Sequence, residues 1–318
     1  MKGKSILLAL SGSQQSRQAT EVCWRLARQL GATITAHHVV DSHSAWQFLG
    51  HENPGFLSSS LYLEAYQGLL SDLFKLGELL ADSYAADARL VGVDNVCLID
   101  EGNPITEICR RAASHKLVVI GHRGNKSRQP RSQFQRLSVA EALSHDCPRP
   151  LLVVQAECKS WTSLSIMISL DHINEIYINS CLDMAEVLGL KPALICLTGG
   201  AHEETAEDFV QNIRRSNPRL NEVTIAMAPA QQDISVSIEN CYKPENEVQK
   251  FDPAFWCNTL IVIPTIMVAG ERLTVVDSSP SLFVRYLSLP SILLWPEEYT
   301  FAPIEQTLQE EQSLVSVG

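Results

Sequence analysis

The sequence predicts an α/β protein made of two tandem domains, each a five-stranded parallel sheet with helices on both faces. Three observations carry this. Short, wholly apolar runs alternate with amphipathic segments, as expected of strands buried on both faces between crossover helices. The alternation occurs twice. The second occurrence also aligns with the first: Cys23–Gly31 lies over Cys181–Gly189 without a gap, with four of nine residues identical. The correspondence extends from Leu117–Gly121 to Leu260–Pro264, and from Pro150–Val154 to Ser291–Trp295. A duplication with roughly 150 residues per copy, an ordinary domain size, accounts for the 318-residue chain.

The elements follow in order. SILLA opens the first strand, and Ser11-Gly12-Ser13 leads into a helix. Ala19, Val22, Cys23, Leu26 and Leu30 recur at helical spacing there, and Gly31 stops the helix. Ala32–Val40 is the second strand and Asn95–Ile99 the third. Pro104 suits the first turn of a helix that runs to about Ser114. Lys116–Ile120 is the fourth strand, a helix spans Ser138–His145, and Leu151–Val154 is the fifth strand. The second copy repeats the scheme: strand Ser165–Leu170, a helix through Tyr177, Cys181 and Leu188 ending at Gly189, strand Pro192–Leu197, then Leu260–Pro264 and Ser291–Trp295. Ser42–Ser60 is a poorly periodic insertion carrying Trp46, Phe48 and Phe56, read as a lid or a partner surface. The domains are set at 1–157 and 158–296, with an acidic tail at 297–318.

Bulk chemistry excludes several classes. A net charge of −11 argues against nucleic acid as a main partner. No apolar run reaches the roughly 20 residues that span a bilayer. The N-terminus reads as a strand and not as a secretion signal, so the expected location is the cytoplasm. The nine cysteines are scattered, odd in number and without a C-x-x-C pair, which suits reduced, buried thiols. The nine histidines show no metal-ligand spacing with them, so no metal is expected. No G-x-S-x-G elbow or Walker loop is present, so no catalytic residue is assigned.

In a parallel sheet, ligands bind beyond the carboxyl ends of the strands. Ser11, Asp41, Gly121 and Gly124 all follow strand ends. Asp41, with His37 and His38, is read as a strand-end cap with sheet packing, and His122 as a loop or ligand-contact residue. The stretch Val118–Leu143 is the most informative. After Gly121-x-x-Gly124 it carries Arg123, Lys126, Arg128, Arg131 and Arg136, with no acidic residue before Val139. Ser138 is positioned as an N-cap, where helix N–H groups and the dipole favour an anion.

These stretches resemble the universal stress protein family. The matching segments are SILLALSGSQQS, HHVVD, DEGNPITEICRRA and LVVIGHRG…LSVAEAL…CPRPLLVV. The resemblance implies Rossmann-like domains that pair as dimers or are fused in tandem, and a branch that binds ATP. That branch has a G-2x-G-9x-G-S/T pattern after strand four and an aspartate after strand one. Carried over, Gly121 and Gly124 match the first two glycines, Ser138 the Ser/Thr and Val139 the residue after it. Arg123 and Lys126 would assist with phosphates, Val39 or Val40 would line the base pocket, and Ser11-Gly12 would form the adenine-side wall. Three departures stand out. Twelve residues separate Gly124 from Leu137, Leu137 stands where a glycine is expected, and Ser11 stands where the aspartate is expected. The second copy keeps its aspartate, Asp171, but has Pro264 in place of the first glycine and no phosphate loop.

SGSQQS is also similar to the S-G-G-x-D-S loop of ATP pyrophosphatases, but it lacks the second glycine and the carboxylate. The expectation is therefore a regulatory or binding module with ATP or AMP in the first domain. It would pair as a homodimer or by intramolecular contact of its two domains. The alternatives are a dimerisation scaffold that binds no nucleotide, and a nucleotide hydrolase.

Overall fold

The computed structural model describes residues 5–50, 59–123, 137–158, 160–170, 172–198, 206–229, 258–274, 279–286 and 289–301. The chain divides into two compact units. One is Lys2–Gly121 with Asp146–Arg149, and the other is His122–His145 with Pro150–Gly318.

The first unit runs β1 (Ser5–Ala9), α1 (Gln14–Leu30), β2 (Thr33–Val40), α2 (Ser42–Gly50), α3 (Ser59–Leu90), β3 (Asn95–Glu101), α4 (Pro104–Ala112) and β4 (Leu117–Gly121). Its strands are parallel in the order β3-β2-β1-β4, with Leu7 level with Thr35 on one side and Val118 on the other. Leu7, Leu8, Ile34, Val118 and Val119 are wholly buried, as all-apolar parallel strands require. Ser13 caps α1 by accepting from the Ser16 N–H, and Gly31 ends it at φ 59. That left-handed conformation is one glycine adopts without strain. Asn103 caps α4, with Pro104 in its first turn. Ser42–Gly50 of the insertion is helical, and α3 runs for 32 residues. Residues 51–58 lie outside the described residues.

The second unit holds α5 (Val139–Asp146), β5 (Leu151–Val154), β6 (Ser163–Ser169), α6 (Glu175–Leu188), β7 (Lys191–Thr198), α7 (Ala206–Ser216), β8 (Thr224–Pro229), β9 (Thr259–Val268), β10 (Glu271–Thr274), α8 (Pro280–Tyr286) and β11 (Ser291–Pro296). Five strands are parallel in the order β8-β7-β6-β9-β11. Taken by place in the repeat, this is the winding of β3-β2-β1-β4 continued by a fifth strand. Gly189 ends α6 at φ 65, as Gly31 ends α1. The duplication is thus visible in sheet order as well as in the caps.

β5 pairs antiparallel with β11, placing Leu152 level with Leu293. The last strand of the first repeat therefore lies beside the last strand of the second. For this reason the division into units falls at Gly121 and not at the repeat boundary near residue 157.

Candidate ligand-binding site

In the first unit, the carboxyl ends of β1, β2 and β4 carry Ser11, Gly12, Val39, Val40 and Gly121. The turn after β1 is satisfied by its own serines. The Ser11 N–H donates to Ser16 Oγ at 2.8 Å, and the Ser16 N–H donates to Ser13 Oγ at 3.1 Å. The Ser11 and Ser13 hydroxyls are 3.1 Å apart. Gly12 has nothing within 4 Å of where a Cβ would sit.

Gly121 is the opposite case. A Cβ there would overlap the Gln15 carbonyl group and lie 2.5 Å from the Ser16 nitrogen. The space left by the missing side chain is filled by the first turn of α1. The glycine thus serves close helix–strand packing, whatever it also does toward a ligand.

Val39 and Val40 line a pocket of about 380 Å³ at the end of β2, walled by Ala45 and Phe48 of α2 and by Leu69 and Leu73 of α3. His38 and Asp41 stand at its polar edge. Asp41 caps α2, taking the Ser44 N–H at 2.8 Å and the Ser44 hydroxyl at 2.6 Å. His38 Nδ1 lies 3.0 Å from the Leu10 carbonyl, and its ring fits because α3 has Gly77 opposite it, where a Cβ would lie 2.7 Å from the imidazole.

A charge cluster occupies β2, β3 and α4. Asp100 takes two hydrogen bonds from Arg111, at 3.0 and 3.1 Å, and one contact from His37 Nε2 at 3.0 Å. Burial holds His37 below its ordinary value despite the adjacent carboxylate. Burial pushes Asp100 up, but hydrogen bonding and charge from Arg111, with His37, outweigh it and hold the carboxyl below its ordinary value.

In the second unit, Ser138 and Glu141 form a reciprocal cap on α5. Ser138 Oγ accepts from the Glu141 N–H at 3.2 Å, and the Ser138 N–H donates to Glu141 Oε2 at 2.7 Å. Glu141 is fully buried, and its other oxygen takes Arg285 Nε of α8 at 2.7 Å. The N-cap donor that a phosphate would use is thus already bonded to a carboxylate of this chain. Ser138 Oγ also lies 3.4 Å from His122 Nδ1. Val139 is half-buried, and Arg123 and Leu137 are exposed. Gly124, Lys126, Arg128, Arg131 and Arg136 lie outside the described residues, as does Asp171.

Where the first repeat has its basic loop, the second continues as a β-hairpin. β9 runs on past Pro264 to Val268 and turns through Ala269 and Gly270, both at positive φ, into β10. Arg272 of β10 is buried, donating to the His145 carbonyl at 3.1 Å and the Thr265 hydroxyl at 3.1 Å. At the end of β11, Glu297 takes His172 Nε2 at 2.7 Å and the Asn174 amide at 3.0 Å.

Among the described cysteines, Cys23, Cys147, Cys158, Cys181 and Cys196 are buried and Cys97 and Cys109 half-buried. Burial pushes Cys109 up to about 12, so it stays a thiol at neutral pH. No metal-ligating cluster occurs among the described residues, and none of their helices is long and apolar enough to cross a membrane.

Sequence reasoning reached Val39 and Val40 and read Ser42–Ser60, with Phe48, as a lid or a partner surface, but did not reach the α3 wall of the pocket. It also missed Glu141, although Ser138-Val139-Ala140-Glu141 has the S-x-x-E spacing of a capping box.

Residues 3–155 match the family model of the universal stress protein family. Among solved structures, a universal stress protein from Archaeoglobus fulgidus is similar at 14% identity and a TM-score of 0.60, covering 93% of this chain and 100% of that one. A functionally unknown protein from Pseudomonas aeruginosa PAO1 is similar at 12% identity and a TM-score of 0.51, covering 99% and 98%. These likenesses establish the fold. No curated protein matches the chain. The first repeat thus matches the universal stress protein family across residues 3–155, and the fold of the chain is shared end to end with a solved universal stress protein.

Proposed function

We propose that the protein is a regulatory binding module, and not a turnover enzyme, whose first repeat takes adenine nucleotide, ATP or AMP. The observation that carries this is the pocket of about 380 Å³ at the end of β2, lined by Val39 and Val40. Ligand pockets run from about 300 to 1,000 Å³ and pair apolar walls with a few polar groups. Val39, Ala45, Phe48 and Leu73 supply the walls for a flat heterocycle, and His38 and Asp41 supply a polar edge. The partial motif of Gly121, Gly124, Ser138 and Val139 supports nucleotide over other heterocycles.

The donors point to a base-led mode of binding. Among the described donors, the Ser138 N–H is bonded to Glu141 and the Ser11 N–H to Ser16, which weighs against these two as phosphate contacts. Titration calorimetry with adenosine, AMP and ATP tests this. All three are expected to bind with affinities within about tenfold of each other, and Ala45→Trp, which fills the pocket, abolishes the heat. No heat from any ligand at millimolar concentration overturns the reading. Steady phosphate release in proportion to protein would overturn the assignment as a binder.

The same occupied donors favour a second reading, a scaffold that binds no nucleotide. Wild-type protein silent toward all three ligands is the result that selects it.

A further inference from the structure

Three polar side chains line the pocket at the end of β2: His38, Asp41 and Ser44. None of them has a hydrogen left for a ligand. The Asp41 carboxylate takes both the N–H and the hydroxyl hydrogen of Ser44, at 2.8 and 2.6 Å. His38 Nδ1 lies 3.0 Å from the Leu10 carbonyl oxygen. A carbonyl can only accept, so the neutral imidazole carries its hydrogen on Nδ1. Nε2 is then an acceptor, and it has no partner among the described residues. The other lining side chains are aliphatic or aromatic.

We propose that His38 is the specificity-determining residue of this pocket, its Nε2 accepting a hydrogen bond from an amino group on the bound base. This rests on the nucleotide reading above and says what in the base is recognised. A pocket whose polar side chains only accept favours a ligand that presents donors, and adenine presents them in its exocyclic amine. The Asp41 carboxylate favours the same polarity.

The imidazole is held in place by the fold. Leu10, just past β1, fixes Nδ1. α3 passes close over the other edge of the ring, where Gly77 leaves the space: a Cβ there would lie 2.7 Å from Cδ2 and 3.2 Å from Nε2. An acceptor held from two sides meets the amine without being ordered first, so the bond keeps most of its worth. A ligand without the amine leaves that acceptor unpaired, and a site built to hydrogen-bond a group rejects the analogue that lacks it.

Titration calorimetry of the full chain with adenosine and with purine riboside, the same nucleoside without its amine, tests this. Wild type is expected to bind adenosine about tenfold more tightly, the worth of one hydrogen bond. In His38→Asn the side-chain nitrogen takes the place of Nδ1 and keeps the donor to Leu10, but nothing replaces Nε2. That variant is expected to bind both nucleosides alike, at the wild-type affinity for purine riboside. His38→Gln carries its side-chain oxygen to the Nε2 position and is expected to regain part of the preference for adenosine. Circular dichroism and thermal unfolding check that both variants fold. The two ligands on wild type need no variant: equal binding overturns the role of His38 and leaves the nucleotide reading standing. A preference for adenosine that survives in folded His38→Asn overturns it as well. Wild type that binds neither nucleoside overturns the nucleotide reading, and the role of His38 falls with it.

Discussion

Two glycines of the first repeat look alike in the sequence and differ in what surrounds them. Gly12 faces open space, while a Cβ at Gly121 would run into the backbone of Gln15 and Ser16. The neighbour at Gly121 is main chain at the start of a helix, which cannot move aside without shifting α1. Gly121→Ala is therefore expected to destabilise the protein by about 1–3 kcal/mol, the usual cost of overpacking. Gly12→Ala should fall within about 0.5 kcal/mol of wild type. Chemical denaturation of both variants checks the contrast. The result separates a glycine kept for packing from one kept for a ligand, because the packing penalty appears with no nucleotide present.

At the scale of elements, α5 shows how a phosphate-type motif is turned to structural use. Its N-terminal donor is satisfied by Glu141, and Glu141 is satisfied by Arg285 of α8, whose side chain is mostly buried. Removing only the cation leaves a wholly buried carboxylate without its counter-charge. Arg285→Met is expected to cost about 3–5 kcal/mol, and the double change with Glu141→Gln to recover most of it. Thermal or denaturant unfolding of the single and double variants measures this coupling. Ser138→Ala removes one cap bond and should cost about 1 kcal/mol. In the second repeat β9 continues past the matching strand end as a hairpin, and Arg272 is buried there.

At the scale of the whole molecule, the antiparallel pairing of β5 with β11 gives each last strand a partner within the chain. Leu151–Val154 is buried throughout, so β5 exposed without β11 is an open apolar edge. Residues 1–157 expressed alone are expected to self-associate. Light scattering on that fragment, beside the full chain, reads the difference. A fragment that stays monomeric would mean that β5 is protected by something other than β11.

Much of this architecture is written locally. All-apolar strands, glycine stops at Gly31 and Gly189, Pro104 at a helix start and the near-repeat of Cys23–Gly31 in Cys181–Gly189 depend only on neighbours along the chain. The α/β class and the duplication follow from them. The candidate site was legible only in part, because its residue types have meaning only with their partners. Val39 reads as a strand residue until α2 and α3 close over it, and Ser138 as a phosphate ligand until Glu141 takes its N–H. Gly121 is a ligand-facing glycine in the sequence and a packing glycine once α1 lies against it. Periodicity and spacing carry the first kind of information along the chain. Which donors are occupied and which side chains line a pocket are settled only when distant segments meet, and there the tertiary structure decided.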